Sequence, residues 1–252
     1  MEQNKSNNNS IVIFGLILGI SGIIMSIIIG SYIWEIKTFN NSVISVTGVA
    51  TKKVMSNIVK WSTSISEKTG PAQTDYQNGI NRISMETKKV LNYFNNKKIP
   101  SSDITIYPIS SFPRYNYQNG NRIFLGYNIT QNFLIESGNI EKITNIAIKS
   151  VIDLTNQGIM FSSQQPKYYI SQKLLNSIRT KMLSEALQDA KLRAESITKP
   201  VGASVGPLRS SSMGVIQITP LYSTQISNFG FIDTTSIEKR ITYPVNVTFT
   251  LK

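Results

Sequence analysis

Residues Ile11 to Trp34 form a near-continuous apolar run without a charged side chain. At ~1.5 Å of rise per residue, such a run is long enough to cross a bilayer as one helix. The chain is therefore expected to be anchored in a membrane. Gly15, Gly19, Gly22, Ser26 and Gly30 recur every three or four residues within the run, so one helical stripe is small enough for another backbone to approach closely. Self-association of the helix is the expectation, set against the general abundance of glycine in membrane helices.

A cleaved signal peptide is the competing reading. The apolar core exceeds the usual h-region, the n-region carries only Lys5, and no Ala-x-Ala-like site follows before Glu35. These features favour an uncleaved signal-anchor. Tyr32 and Trp34 sit where an interfacial aromatic belt would begin. The flanking charges, Lys5 on one side and Glu35, Lys37, Lys52 and Lys53 on the other, leave the positive-inside rule close to a tie.

The first 34 residues hold one acid, Glu2, and one base, Lys5, so the rest of the chain carries the whole net charge of +12. Such a charge draws nucleic acid or anionic lipid when the bases cluster on one face. In sequence they do not: Lys52/Lys53, Lys88/Lys89 and Lys97/Lys98 are isolated pairs. No nucleic-acid-binding signature accompanies them, so no specific nucleic-acid partner is expected. The absence of cysteine and histidine excludes zinc sites built on those residues, thiol nucleophiles, Ser-His-Asp triads and lipoprotein anchors. No catalytic residue, metal site or cofactor is expected.

Residues 1–10 read as a polar tail, 11–34 as the transmembrane helix, 35–41 as a linker and 42–252 as the globular part. Strands are predicted over Val43–Gly48 and Ile58–Ile65. A helix follows, started by Thr74 or Asp75, with Tyr76, Ile80, Ile83, Val90, Leu91 and Phe94 at helical spacing. Asp103–Tyr107 reads as a short strand, then a Pro-, Ser- and Asn-rich loop runs to Gly120. Ile123–Glu136 alternates as a long strand, with Tyr127, Ile129, Gln131, Phe133 and Ile135 on one side.

A second helix opens at Gly138 or Asn139 with the stripe Ile143, Ile146, Ala147, Val151 and Leu154. Ile159–Gln164 reads as a strand. The longest helix of the globular part starts at Ser171 and buries Leu174, Leu175, Ile178, Met182, Leu183, Ala186, Ala190 and Ala194. Its alanines point to close packing on a sheet. Met213–Ile218 is a further strand, Thr219–Ser236 a polar loop, and Ile241–Leu251 a clearly alternating final strand. The interleaving predicts an α+β fold with helices on antiparallel or mixed sheets.

Lys181, Glu185, Asp189 and Arg193 lie four apart, the spacing of a solvent-exposed ion-pair ladder worth about 0.2–0.5 kcal/mol per link. Acid-base catalysis by Glu185 and Asp189 would need a pocket that shifts their pKa values. The aromatic stretch with Phe112, Arg114, Tyr115, Tyr117 and, just beyond it, Arg122 is a candidate interaction loop. It could stack on bases or sugars or contact a neighbouring subunit, and the second reading is preferred. Asn128-Ile-Thr and Asn246-Val-Thr match the glycosylation pattern but fall inside predicted strands.

Val43-Ile-Ser-Val-Thr-Gly48, Asp103-Ile-Thr, Gly126-Tyr127 and above all Asp189-Ala-Lys-Leu-Arg-Ala194 followed by Gly202 and Gly206 resemble, in order and spacing, the SIMPL domain, formerly domain of unknown function 541. The resemblance covers about Ser42 to Lys252. One departure is visible: the Pro-Asp that often follows the family's first strand is represented here by Met55-Ser56.

The resemblance implies two small α+β subdomains, the second over roughly 125–206, and a bacterial envelope protein loosely linked to envelope or oxidative stress. Some members form large rings, which implies a homo-oligomer. No catalytic activity or cofactor is implied. It also resolves the topology: a single-pass inner-membrane protein with its C-terminal domain in the periplasm. The expected function is a non-enzymatic assembly or interaction module; the alternative is a carboxylate-dependent hydrolase or glycan-binding protein.

Overall fold

The computed structural model describes residues 3–39, 42–225 and 227–252 and, along the first helix, the side chains of 13–34. Helix α1 spans Gln3–Phe39. It runs through most of the stretches read as a polar tail and a linker, whose residues 1–2 and 40–41 lie outside the described residues. Extending an existing helix adds one hydrogen bond per residue fixed, so an apolar helix readily propagates into polar flanks.

The chain forms two compact units. The first comprises Met1–Ala50, Leu183–Gly214 and Pro244–Lys252, and the second Thr51–Met182 and Val215–Tyr243. Neither coincides with the contiguous subdomain expected over 125–206. The chain passes between units within β1 (Val43–Met55), α4 (Gln172–Thr198) and β11 (Glu238–Leu251).

In the second unit, β2 (Ile58–Lys68) and β5 (Asn121–Ser137) pair antiparallel with Trp61 opposite Ile135 and Thr63 opposite Phe133. The sheet order is β3-β5-β2-β6, with β3 at Ile104–Ile106 and β6 at Phe161–Ser163; β4 (Ser110–Gln118) also pairs with β5, and β7 (Lys167–Tyr169) with β2. Alternation along β2 buries Val59, Trp61, Thr63 and Ile65, and β5 buries Ile129, Gln131, Phe133 and Ile135 as its pattern predicts. Helices α2 (Gln73–Asn96) and α3 (Ile140–Thr155) share one core cluster with these residues. Edge-to-face contacts of Phe94 with Trp61 (5.7 Å) and Phe133 (6.2 Å) lie in it, and Trp61 Nε1 donates to Ser163 Oγ at 2.9 Å.

Local details depart from the sequence reading. Ala72, not Thr74 or Asp75, occupies the N-cap of α2; Asp75, three residues on, accepts the Ala72 N–H at 3.2 Å. Asn139 caps α3, accepting the Lys142 N–H at 3.2 Å. On α3, Ser150 takes the buried place expected for Val151, with its hydroxyl donating to Ala147 O. The Pro-rich loop before Gly120 is mostly strand β4, and β5 begins at Asn121, two residues ahead of the expected Ile123. Pro113 is tolerated there because β4 pairs only with β5. The polar segment 219–236 contains β10 (Phe231–Ile232), parallel to β9 (Gln217–Pro220).

In the first unit, β8 (Val205–Met213) pairs antiparallel with β11. Its sequence, with Gly206, Pro207 and three serines, has little strand propensity; pairing with β11 holds it. Strand β1 neighbours β11 on its other side, with Leu251 N–H donating to Ser42 O at 2.9 Å. Ala186, Ala190 and Ala194 of α4 and Val245 and Val247 of β11 are fully or almost fully buried.

Candidate functional site

The Asp189-to-Ala194 motif lies against the Val-Thr-Gly48 strand. A Cβ on Gly48 would overlap the Ala186 carbonyl oxygen and lie 2.6 Å from Ala190 N and 2.7 Å from Ala190 Cβ. Only glycine on the strand and small residues on the helix allow this approach. Asp189 Oδ2 accepts the Val49 N–H at 2.8 Å and Arg193 Nε at 2.7 Å. The Val49 bond, helped by Arg193 against a smaller effect of burial, holds the Asp189 carboxyl below its ordinary pKa. Asp189 is therefore not merely a rung of an exposed ladder. Its charge ties helix to strand, and an ionised carboxylate occupied by two donors is poorly suited to act as a proton carrier.

The candidate interaction residues lie on a hairpin, not a loop. Asn119 (φ +50°) and Gly120 (φ +79°) connect β4 to β5, with both turn residues at positive φ as a type I′ turn requires. An irregularity in register follows: Arg114 faces Gly126 and Tyr115 faces Phe124, leaving Leu125 as the extra residue of a bulge. Gly126 has φ +108°, and a Cβ there would overlap the Thr69 and Gly70 carbonyl oxygens.

The bulge shifts the alternation of β5, so Arg122 and Phe124 fall on the same side as Tyr127. The Arg122 guanidinium lies 3.5 Å from the centre of the Tyr115 ring. Tyr115–Phe124 (5.5 Å), Phe124–Tyr127 (5.3 Å) and Tyr127–Tyr76 (4.9 Å) continue the row toward α2. Tyr117 and Phe112 are 70% and 64% exposed. Arg114 is anchored within the hairpin, its Nη2 donating to Thr69 O at 3.1 Å and Leu125 O at 3.3 Å, while its buried Nε has no hydrogen-bond partner among the described residues.

Along α1, a Cβ added at Gly15, Gly19, Gly22 or Gly30 meets nothing within 4 Å, and the Ser26 hydroxyl donates to Gly22 O at 2.8 Å. The stripe is thus open and its hydroxyl satisfied within the helix. The segment Ile13–Trp34 has a mean hydropathy of 2.5, with none of it buried, as fits a membrane anchor or a signal sequence.

The Asp233–Lys239 pair and the Glu86 carboxyl are titratable groups that the sequence pattern does not single out. Lys239 and Asp233 are 1% and 4% exposed and meet at 3.0 Å, with Lys239 Nζ also donating to Asp233 O at 2.7 Å. Thr235 N–H and Oγ1 each donate to Asp233 Oδ1 at 2.8 Å, and the Ser236 hydroxyl donates to Oδ2. Burial pushes the Asp233 pKa up, but these donors outweigh it and hold the carboxyl well below the usual range. Burial lowers the Lys239 pKa against its bonds to Asp233.

On α2, burial raises the Glu86 carboxyl, with a smaller contribution from Glu67, which is itself paired with Arg82 at 2.7 Å. Neither acid lines any of the described cavities. No group of three or more Asp or Glu suited to a metal occurs among the described residues.

The family profile named SIMPL, described as a protein of unknown function (DUF541), matches residues 44–249. The chain belongs to the SIMPL family. In this SIMPL domain, the close approach of Gly48 to Ala190 and the Val49–Asp189 bond hold together two stretches distant in sequence. Among solved structures, an uncharacterized conserved protein from Listeria innocua is 10% identical, covering 77% of this chain and 91% of that one with a TM-score of 0.22. A hydrolase from Listeria innocua is 10% identical over the same shares, with a TM-score of 0.17. No curated protein matches this SIMPL protein.

Proposed function

We propose that this SIMPL protein is a single-pass bacterial inner-membrane protein whose domain stands outside the cytoplasm and acts as a non-enzymatic assembly or interaction module of the envelope. The observation that carries the reading is the Ile13–Trp34 segment, long enough to cross a bilayer, with a mean hydropathy of 2.5 and none of it buried. Its apolar surface has a favourable environment only in lipid or against another such helix. The exposed rings of the β4–β5 hairpin supply a contact surface for a second copy. The carboxylate of Asp189, occupied by Val49 N–H and Arg193 Nε, favours this reading over a carboxylate-dependent hydrolase.

Because the chain has no cysteine, a single reporter thiol tests the topology. Thr224→Cys, at an exposed position, should react in intact cells with a maleimide that cannot cross the inner membrane. Reaction only after the membrane is broken would overturn the placement.

A further inference from the structure

The chain passes from β1 to β2 through Ser56 and Asn57, and this turn forms one wall of a cavity of about 470 Å³ in the second unit. Ligand cavities typically measure about 300–1,000 Å³. Met55, Ile140 and Ile237 give it apolar walls, and Ser56, Glu141 and Asn145 its unused polar groups. Ser56 is only 6% exposed and its hydroxyl has no hydrogen-bond partner, although its backbone N–H is held by Ile237 O at 2.9 Å.

The remaining polar groups here are spent. Asn57 accepts the Ser171 N–H at 2.7 Å and donates to Ser171 Oγ at 2.9 Å. Thr144 Oγ1 donates to Ile140 O at 2.8 Å. At the N-terminus of α3, the Asn139 side chain accepts the Lys142 N–H and its carbonyl accepts the Ile143 N–H, and Lys142 Nζ reaches Lys98 O at 2.6 Å. Glu141 has no ion pair and Asn145 no hydrogen bond among the described residues. In a chain of 26 bases and 14 acids, this cavity is lined by one acid and, among the described residues, no base.

We propose that the cavity binds a small amphipathic amine. Its apolar body lies against Met55, Ile140 and Ile237, and its ammonium donates to the Glu141 carboxylate and the Asn145 side-chain oxygen. The charge of Glu141 selects against an anion of the same shape.

Calorimetric titration of the full chain in lipid nanodiscs, with empty nanodiscs subtracted, tests this using cyclohexylamine, cyclohexanol and cyclohexanecarboxylate. Cyclohexylamine should bind about tenfold or more tightly than either isostere, and Glu141→Gln should remove that preference. Asn145→Lys, at an exposed position, should abolish binding of the amine while leaving the circular dichroism spectrum unchanged. Equal affinity for all three probes, tighter binding of the carboxylate, no heat with the amine at millimolar concentration, or an unchanged preference in Glu141→Gln would each overturn the proposal.

Discussion

The backbone N–H of Val49 donates to Asp189 Oδ2 at 2.8 Å across a sequence separation of 140 residues. Because this bond satisfies a strand N–H with a charged acceptor, Asp189→Ala should cost about 1–2 kcal/mol, above the few tenths of an exposed ladder rung. Gly48→Ala, which forces Cβ onto the helix backbone, should cost more, about 3 kcal/mol. Urea unfolding of the full chain in detergent, followed by circular dichroism, measures both.

Lys239→Met should cost about 3–5 kcal/mol, because it leaves Asp233 buried without its cation. The double variant Asp233→Leu with Lys239→Met should recover part of that loss. The sign of the pH dependence follows from the lowered carboxyl pKa of both Asp189 and Asp233. Their stabilisation is fully present above the unfolded value of about 3.9 and disappears as pH falls through the folded values. Thermal melts should therefore hold steady from neutral pH to about 4 and fall below it. Asp233→Asn should flatten that fall.

Gly120→Val places a β-branched residue at φ +79° and should destabilise the hairpin by about 1–2 kcal/mol. Hydrogen exchange should rise in residues 110–126 while the Trp61 core stays protected.

Self-assembly has two candidate drivers with separable outcomes. Gly22→Leu with Ser26→Leu should weaken association by blocking close backbone approach while preserving insertion. Phe112→Ala with Tyr117→Ala removes exposed rings, so stability should change by no more than about 0.5 kcal/mol per site while any hairpin-mediated contact is lost. Light scattering on the detergent-solubilised chain reads both. A monomer throughout, at micromolar protein, removes the assembly reading.

Much of the architecture was legible in periodicity. The alternation of Ile241, Tyr243, Val245, Val247 and Phe249 marked a strand with one buried face, and those residues are buried. The i, i+4 run of Ala186, Ala190 and Ala194 marked a close-packed helix face. The β4–β5 hairpin was missed although Asn119-Gly120, the strongest short hairpin signal, was in view. The prolines of that segment argued for a loop, and only the edge position of β4 makes Pro113 acceptable.

The apolar run of α1, the class of fold and the exclusion of cysteine and histidine chemistry were determined by the sequence alone. Each follows from composition or from a repeat of two to four residues, which neighbouring positions carry without help. The tertiary structure decided that Asp189 bonds Val49 and that Arg114 is engaged while Tyr117 is exposed. It also placed Ser56 and Glu141 at one cavity and buried Asp233 with Lys239. Such relationships depend on which backbone groups are left unpaired and which charges lose water, and both are set by packing between segments far apart in the chain.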